Sequence, residues 1–176
     1  MLILLLAVLL QPPVEAIVAT MDPSAMEAPL PCAVAAQVLP DMLYAHGVGY
    51  TDISNPKVQA RIDRCSTLVA QIEDQGGDMV FATIAVAYVE SNFNPDAVGS
   101  AGERGMMQVL PQYHCVNEFS DGQGGCVNPE GASIKFLAHL LNQHGTHEAL
   151  RRYNGSGAYA TRVEGYISKV EAAYKG

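Results

Sequence analysis

No lysine or arginine occurs among the first 56 residues of this 176-residue chain; Lys57 is the first basic residue. Charge of either sign is sparse, at 16% of residues against 49% apolar, and that balance excludes a disordered chain. With 10 Lys and Arg against 18 Asp and Glu, the net charge is −8, so the basic footprint of a nucleic-acid binder is missing. A polybasic membrane-surface module is excluded on the same ground. No apolar run approaches the roughly 20 residues that a helix needs to cross a bilayer. Internal repeats are absent, as is any sustained period-two alternation, so little sheet is expected.

The acidity that is present is uneven. Glu15, Asp22, Glu27, Asp41 and Asp52 stand unopposed in residues 1–56, whereas residues 57–176 hold 13 acids and all 10 basic residues, a net of −3. Met1 to Leu10 is an unbroken apolar run ended by Gln11-Pro12-Pro13. It fits the apolar stretch of an export signal, with small-residue cleavage options at Ala16 and Ala19, although no basic residue precedes it. The alternative is an apolar arm that packs on a partner or enters a membrane during delivery. Residues 1–19 are therefore read as a signal or arm. Residues 20–54 carry Pro23, Pro29, Pro31 and Pro40 and read as an acidic connector with a short helical piece around Ala33 to Val38. Residues 55–176 read as the domain.

Four cysteines, Cys32, Cys65, Cys115 and Cys126, accompany the export pattern, which favours disulfides and leaves three connectivities open. The nearest pair, Cys115 and Cys126, brackets a glycine-rich stretch, and closing so short a loop contributes roughly 2–3 kcal/mol in the chain-entropy model. Cys32 with Cys65 would then tie the connector to the first helix. A zinc site on His114, Cys115 and Cys126 is the alternative, but its spacing matches no standard finger or ribbon. The histidines form no His-Glu-x-x-His motif, and His139 and His144 read as surface residues. The glycines of residues 99–105 lack nucleotide-loop spacing. No metal and no cofactor are expected.

From residue 55 the periodicity is helical. Asn55-Pro56 opens a helix whose apolar stripe is Val58, Ile62, Cys65, Val69 and Ile72. A second helix begins at Asp78, buries Val80, Phe81, Ile84, Ala87 and Tyr88, and ends near Glu90-Ser91 before Asn94-Pro95. Further helices are expected at about 132–143, 146–151 and 158–174, leaving long loops between the second and third.

Those loops hold the chemistry-bearing residues. Glu90 follows an apolar helix and lies at its C-terminal end. Partial desolvation and the negative end of the helix dipole both push a carboxyl pKa upward, as a general acid near neutral pH requires. The stretch Glu90-Ser91-Asn92-Phe93-Asn94-Pro95, followed by Gly102-Glu103-Arg104-Gly105-Met106-Met107-Gln108 and Pro111, resembles the signature of the lysozyme-like lytic transglycosylases. Asn128-Pro129 is similar to the family's middle segment, and Tyr153-Asn154-Gly155-Ser156-Gly157 to its Tyr-Asn-Ala-Gly block. Together these blocks span about residues 79–170.

The resemblance implies a mostly α, lysozyme-like domain with long active-site loops and little sheet. It implies a peptidoglycan substrate cut at the β-1,4 bond between N-acetylmuramic acid and N-acetylglucosamine. Glu90 would act as the single acid and base, and the muramyl C6 hydroxyl would close a 1,6-anhydro end. Ser91 would hold the sugar or orient Glu90, and Tyr153 would hydrogen-bond Glu90. Gln108 and Asn154 would line the groove, with Met106 and Met107 as apolar wall or as core filling. Two positions depart from the pattern. Glu103 stands where a small residue is usual, and Gly99 where serine is. Glu103 is read as a loop charge paired with Arg104, or as a groove residue that activates water and turns part of the turnover into lysozyme-type hydrolysis. A non-catalytic glycan-binding module is the other class. The implied settings are the periplasm or cell envelope, beside a secretion or conjugation apparatus, or a phage particle.

Overall fold

The computed structural model describes residues 30–39, 44–45, 48–49, 55–72 and 77–175. The apolar run and cleavage options of residues 1–19 lie outside these, as does most of 20–54. The elements are α1 (Leu30–Val38), a small antiparallel hairpin of β1 (Tyr44–Ala45) and β2 (Val48–Gly49), α2 (Pro56–Val69) and α3 (Gly77–Ser91). After the long loop come α4 (Pro111–His114), a 3-10 turn (Asn117–Phe119), α5 (Pro129–His144), α6 (Thr146–Asn154) and α7 (Gly157–Lys175). The mostly helical expectation holds.

Two helix starts follow from their caps. Asn55 Oδ1 accepts the Lys57 N–H at 3.0 Å ahead of Pro56, and Asn128 Oδ1 accepts the Gly131 N–H at 2.9 Å ahead of Pro129. Each satisfies an N–H that the first turn leaves without a helical partner. The second cap starts α5 at Pro129, three residues before the apolar pattern does.

The centre of the molecule is α3. From Met79 to Tyr88 every residue except Val80 is buried, because α1, α2, α5 and α7 all pack on this helix. A helix apolar on all sides belongs inside, so the one-sided burial read from the sequence is too narrow. On α2 the buried stripe is Val58, Ile62, Cys65 and Leu68, with Leu68 in place of the expected Val69. Tyr159, Ala160, Val163 and Val170 form the buried face of α7.

The helical piece expected inside the connector is α1, and it belongs to the core. Cys32, Ala35, Ala36 and Leu39 repeat at helical spacing, are wholly buried, and face α7, α2 and α3. The compact unit thus reaches back at least to α1. Cys32–Cys65 bonds α1 to α2, and Cys115–Cys126 closes the loop after α4. Cys115 and Cys126 therefore have no thiolates to offer zinc. Replacing Cys32 and Cys65 together by alanine removes a cross-link across 33 residues. The expected loss is about 3–4 kcal/mol in the chain-entropy model, on the order of 10 °C in melting temperature. A thermal melt unchanged within about 2 °C would show that α1 docks equally well without the bond.

Candidate active site

Glu90 is the penultimate residue of α3, carried out of the core by the most enclosed helix of the fold. Immediately after Ser91 the chain turns through Asn92 (φ 53°) and Phe93 (φ 59°), and the Phe93 ring is wholly buried. Two consecutive non-glycine residues in the left-handed region are costly, and burial of the ring offsets that cost. Ser91 fixes the same corner: its hydroxyl donates to the Met106 carbonyl at 2.7 Å and accepts the Asn94 N–H at 3.0 Å. The hydroxyl thus ties the helix end to the loop that faces it.

That loop is braced from the far side by α5. The Met106 N–H donates to Glu130 Oε1 at 3.1 Å. Gly105 makes this approach possible, since its φ is 78° and a Cβ there would lie 2.8 Å from Glu130 Oε1. Arg104 bridges to Val98 and Val109 in rudimentary antiparallel pairs. Gln108, at φ 50°, donates its amide to the Gly105 and Ala97 carbonyls at 2.9 and 3.2 Å. Met107 is wholly buried and Met106 is 4% exposed, so both fill the core and neither walls a groove.

Glu90 stands between two concavities. One, of about 320 Å³, brings Glu90 together with Glu103, Gln108 and Asn154, and with His114, Phe136 and Tyr153. The other, of about 290 Å³, lies between the end of α3 and α7 and includes Arg162 and Tyr166. A larger hollow of about 580 Å³ runs along Pro95, Arg104, Gln112 and Pro129 on the loop's other side, but it does not contain Glu90. A buried acid with a perturbed pKa makes the two concavities at Glu90 the candidate site, rather than the larger volume.

Burial holds the Glu90 carboxyl above the ordinary carboxylate range. The Tyr159 hydroxyl, the Asn154 amide and the Arg162 charge oppose the shift, and the Glu103 charge adds to it. Asn154 Nδ2 reaches Glu90 Oε1 at 3.4 Å. Tyr159 is buried, and its hydroxyl makes no hydrogen bond of full geometry, yet it sits near enough to Glu90 for each to affect the other's ionisation. Tyr153 points elsewhere: its hydroxyl donates to the Met107 carbonyl at 2.8 Å, and its ring packs on Phe136. The tyrosine facing the acid is thus Tyr159, six residues beyond the one the sequence singles out. Its apolar-face position in α7 makes it read as ordinary core. Tyr159→Phe removes a group that holds the Glu90 pKa down, so the alkaline limb of an activity profile should move to higher pH. An unmoved limb would show that the hydroxyl does not act on Glu90.

His114, half-buried, packs its tilted ring on Phe136 at 4.2 Å between ring centres, and burial pushes its imidazole pKa down. The sequence offers His114 only as a zinc-ligand candidate and does not single out Phe136; the fold brings both beside Glu90. Glu103 makes no ion pair with Arg104. Its Oε2 instead accepts the Ala101 N–H at 2.9 Å, and the carboxylate turns into the Glu90 cavity.

A mostly helical domain that presents a half-buried acid from a helix end into an open groove has the form of a lysozyme-like glycan-cleaving enzyme. The model of the transglycosylase SLT domain matches residues 67–174, more than half of the chain, and the chain belongs to that family. Comparison with curated proteins and with solved structures found no match. Family membership supports a lytic-transglycosylase type of action on peptidoglycan.

Proposed function

We propose that the protein is a peptidoglycan lytic transglycosylase in which Glu90 serves as both acid and base. The observation that carries this reading is the Glu90 carboxyl, raised in pKa by burial and opening onto concavities on both sides. Protonated, Glu90 gives its proton to the oxygen between N-acetylmuramic acid and N-acetylglucosamine as that bond breaks. The resulting carboxylate then takes the proton of the muramyl C6 hydroxyl, whose oxygen bonds to the anomeric carbon and leaves a 1,6-anhydro end. The nucleophile is supplied by the substrate, so a second carboxylate is not needed for this route. Asn154 and the buried Tyr159 are the positioning residues for the acid, and Gln108 lines the adjacent cavity.

Such a reaction requires delivery to the cell envelope, a task that the apolar run of residues 1–10 would serve as an export signal. Local opening of the wall for a secretion or conjugation apparatus, or by a phage particle, is the use we assign to it. Among the described residues no helix is long and apolar enough to cross a membrane. The test is digestion of purified peptidoglycan followed by mass analysis of the released ends. Anhydro-muramyl ends from the wild type and none from Glu90→Gln are expected. Equal clearing by both proteins would remove Glu90 as the acid, and clearing by neither would favour a glycan-binding module.

A further inference from the structure

Gly99 and Glu103, the two departures from the family pattern, occupy one place. The Gly99 N–H donates to the Glu103 carbonyl at 2.9 Å, and the Ala101 N–H donates to Glu103 Oε2 at 2.9 Å. The side chain is thereby folded back over Gly99. A Cβ on Gly99 would stand 2.2 Å from Glu103 Oε2, 2.8 Å from its Cδ and 2.9 Å from Gln108 Oε1, so the carboxylate is the group it would strike hardest. Residue 99 is not in the left-handed region, so the backbone has no need of glycine there. What glycine provides is room for the carboxylate.

The room opens onto the acid: Glu90, Gly99, Glu103, Gln108 and Asn154 share one cavity. One Glu103 oxygen is held by the Ala101 amide; among the described residues the other accepts no hydrogen bond, and no cation pairs with the group. We propose that Glu103 is a second carboxylate of the cleft that activates water, so that part of the cleavage at Glu90 ends in hydrolysis. The proposal rests on the peptidoglycan reading above. In this branch the Glu90 proton goes to the leaving glycosidic oxygen. A water oxygen bonds to the anomeric carbon, and its proton passes to Glu103. One water is consumed and a reducing muramyl end is formed. In the competing branch the C6 hydroxyl makes that bond, its proton returns to Glu90, and no water is used.

The two ends differ in mass by one water, so their ratio reports the partition. The full chain and three variants, Glu103→Gln, Gly99→Ala and the pair together, are compared on the same peptidoglycan. Gly99→Ala keeps the carboxylate but displaces it; two side-chain ends must give, the Glu103 carboxylate and the Gln108 amide oxygen, which the new Cβ would meet at 2.9 Å. The wild type is expected to release both ends. Each single variant should lower the reducing-to-anhydro ratio at least about fivefold, and the double variant no further, because both changes remove one interaction. An unchanged ratio in Glu103→Gln, or a wild type that releases anhydro ends alone, overturns this inference and leaves the transglycosylase reading intact. Additive effects in the double variant overturn the link between Gly99 and Glu103. Release of neither end by the wild type overturns both readings.

Discussion

Glu90→Gln is expected to lose about a thousandfold or more in wall cleavage, while melting at a higher temperature than the parent at neutral pH. In the proposed mechanism the loss follows from the double use of one group: a glutamine can neither give the proton that releases the leaving oxygen nor take the one from the C6 hydroxyl, and each transfer is worth about 10²–10⁴-fold. The gain follows from the raised pKa. In the unfolded chain the carboxyl titrates near 4.5, and in the fold it titrates higher because burial disfavours the charge. Below the unfolded pKa the group is neutral in both states and costs nothing. As pH rises through the folded pKa, folding must hold a charge where water is scarce, and stability falls. Glutamine is neutral throughout. The difference in melting temperature should therefore be positive at pH 7 and close to zero at pH 4. Activity of the wild type should decline on an alkaline limb lying above 4.5. A variant less stable than the parent at pH 7 would mean that Glu90 is a structural anchor rather than a strained acid.

The largest effect on stability is expected at Phe93, next to the acid but with no chemistry of its own. Its ring is wholly buried although its backbone is left-handed, so Phe93→Ala removes the burial and keeps the strain. A loss of about 3–5 kcal/mol is expected, on the order of 10 °C or more in melting temperature. Glycine accepts this backbone at no steric cost. Phe93→Gly, although smaller still, should therefore melt above Phe93→Ala, by the order of 1 kcal/mol. Were alanine the better residue, as it is within helices, the positive φ would not be a source of strain. Thermal melts of the two variants side by side decide this.

Much of this frame is legible in the sequence because it is written in local signals. Asn55-Pro56 and Asn128-Pro129 carry their own caps, and the apolar spacing of α2 and α7 marks their buried faces. The two disulfides pair as cysteine proximity suggested. What escapes are the facts that depend on who packs against whom. An alanine-rich piece between prolines gives no sign that it will sit against α7. Burial on every side of α3 depends on four neighbours, whereas periodicity reports only one. The partners of Ser91, Tyr153 and Tyr159 are set by how the loop of residues 94–110 folds over the end of α3. Glu103 and Gly99, four residues apart, look like separate oddities until a distance shows that one makes room for the other.

The packing of α1 on α7 carries a consequence for the order of folding. The family match begins at Thr67, yet the helix made first among those described seals against the helix made last, across more than a hundred residues of chain. Contacts so distant in sequence form late and close slowly. During synthesis the core around α3 has to wait with one side open until α7 emerges. The core is thus closed only when two helices from opposite ends of the described residues meet over the shaft that carries the acid.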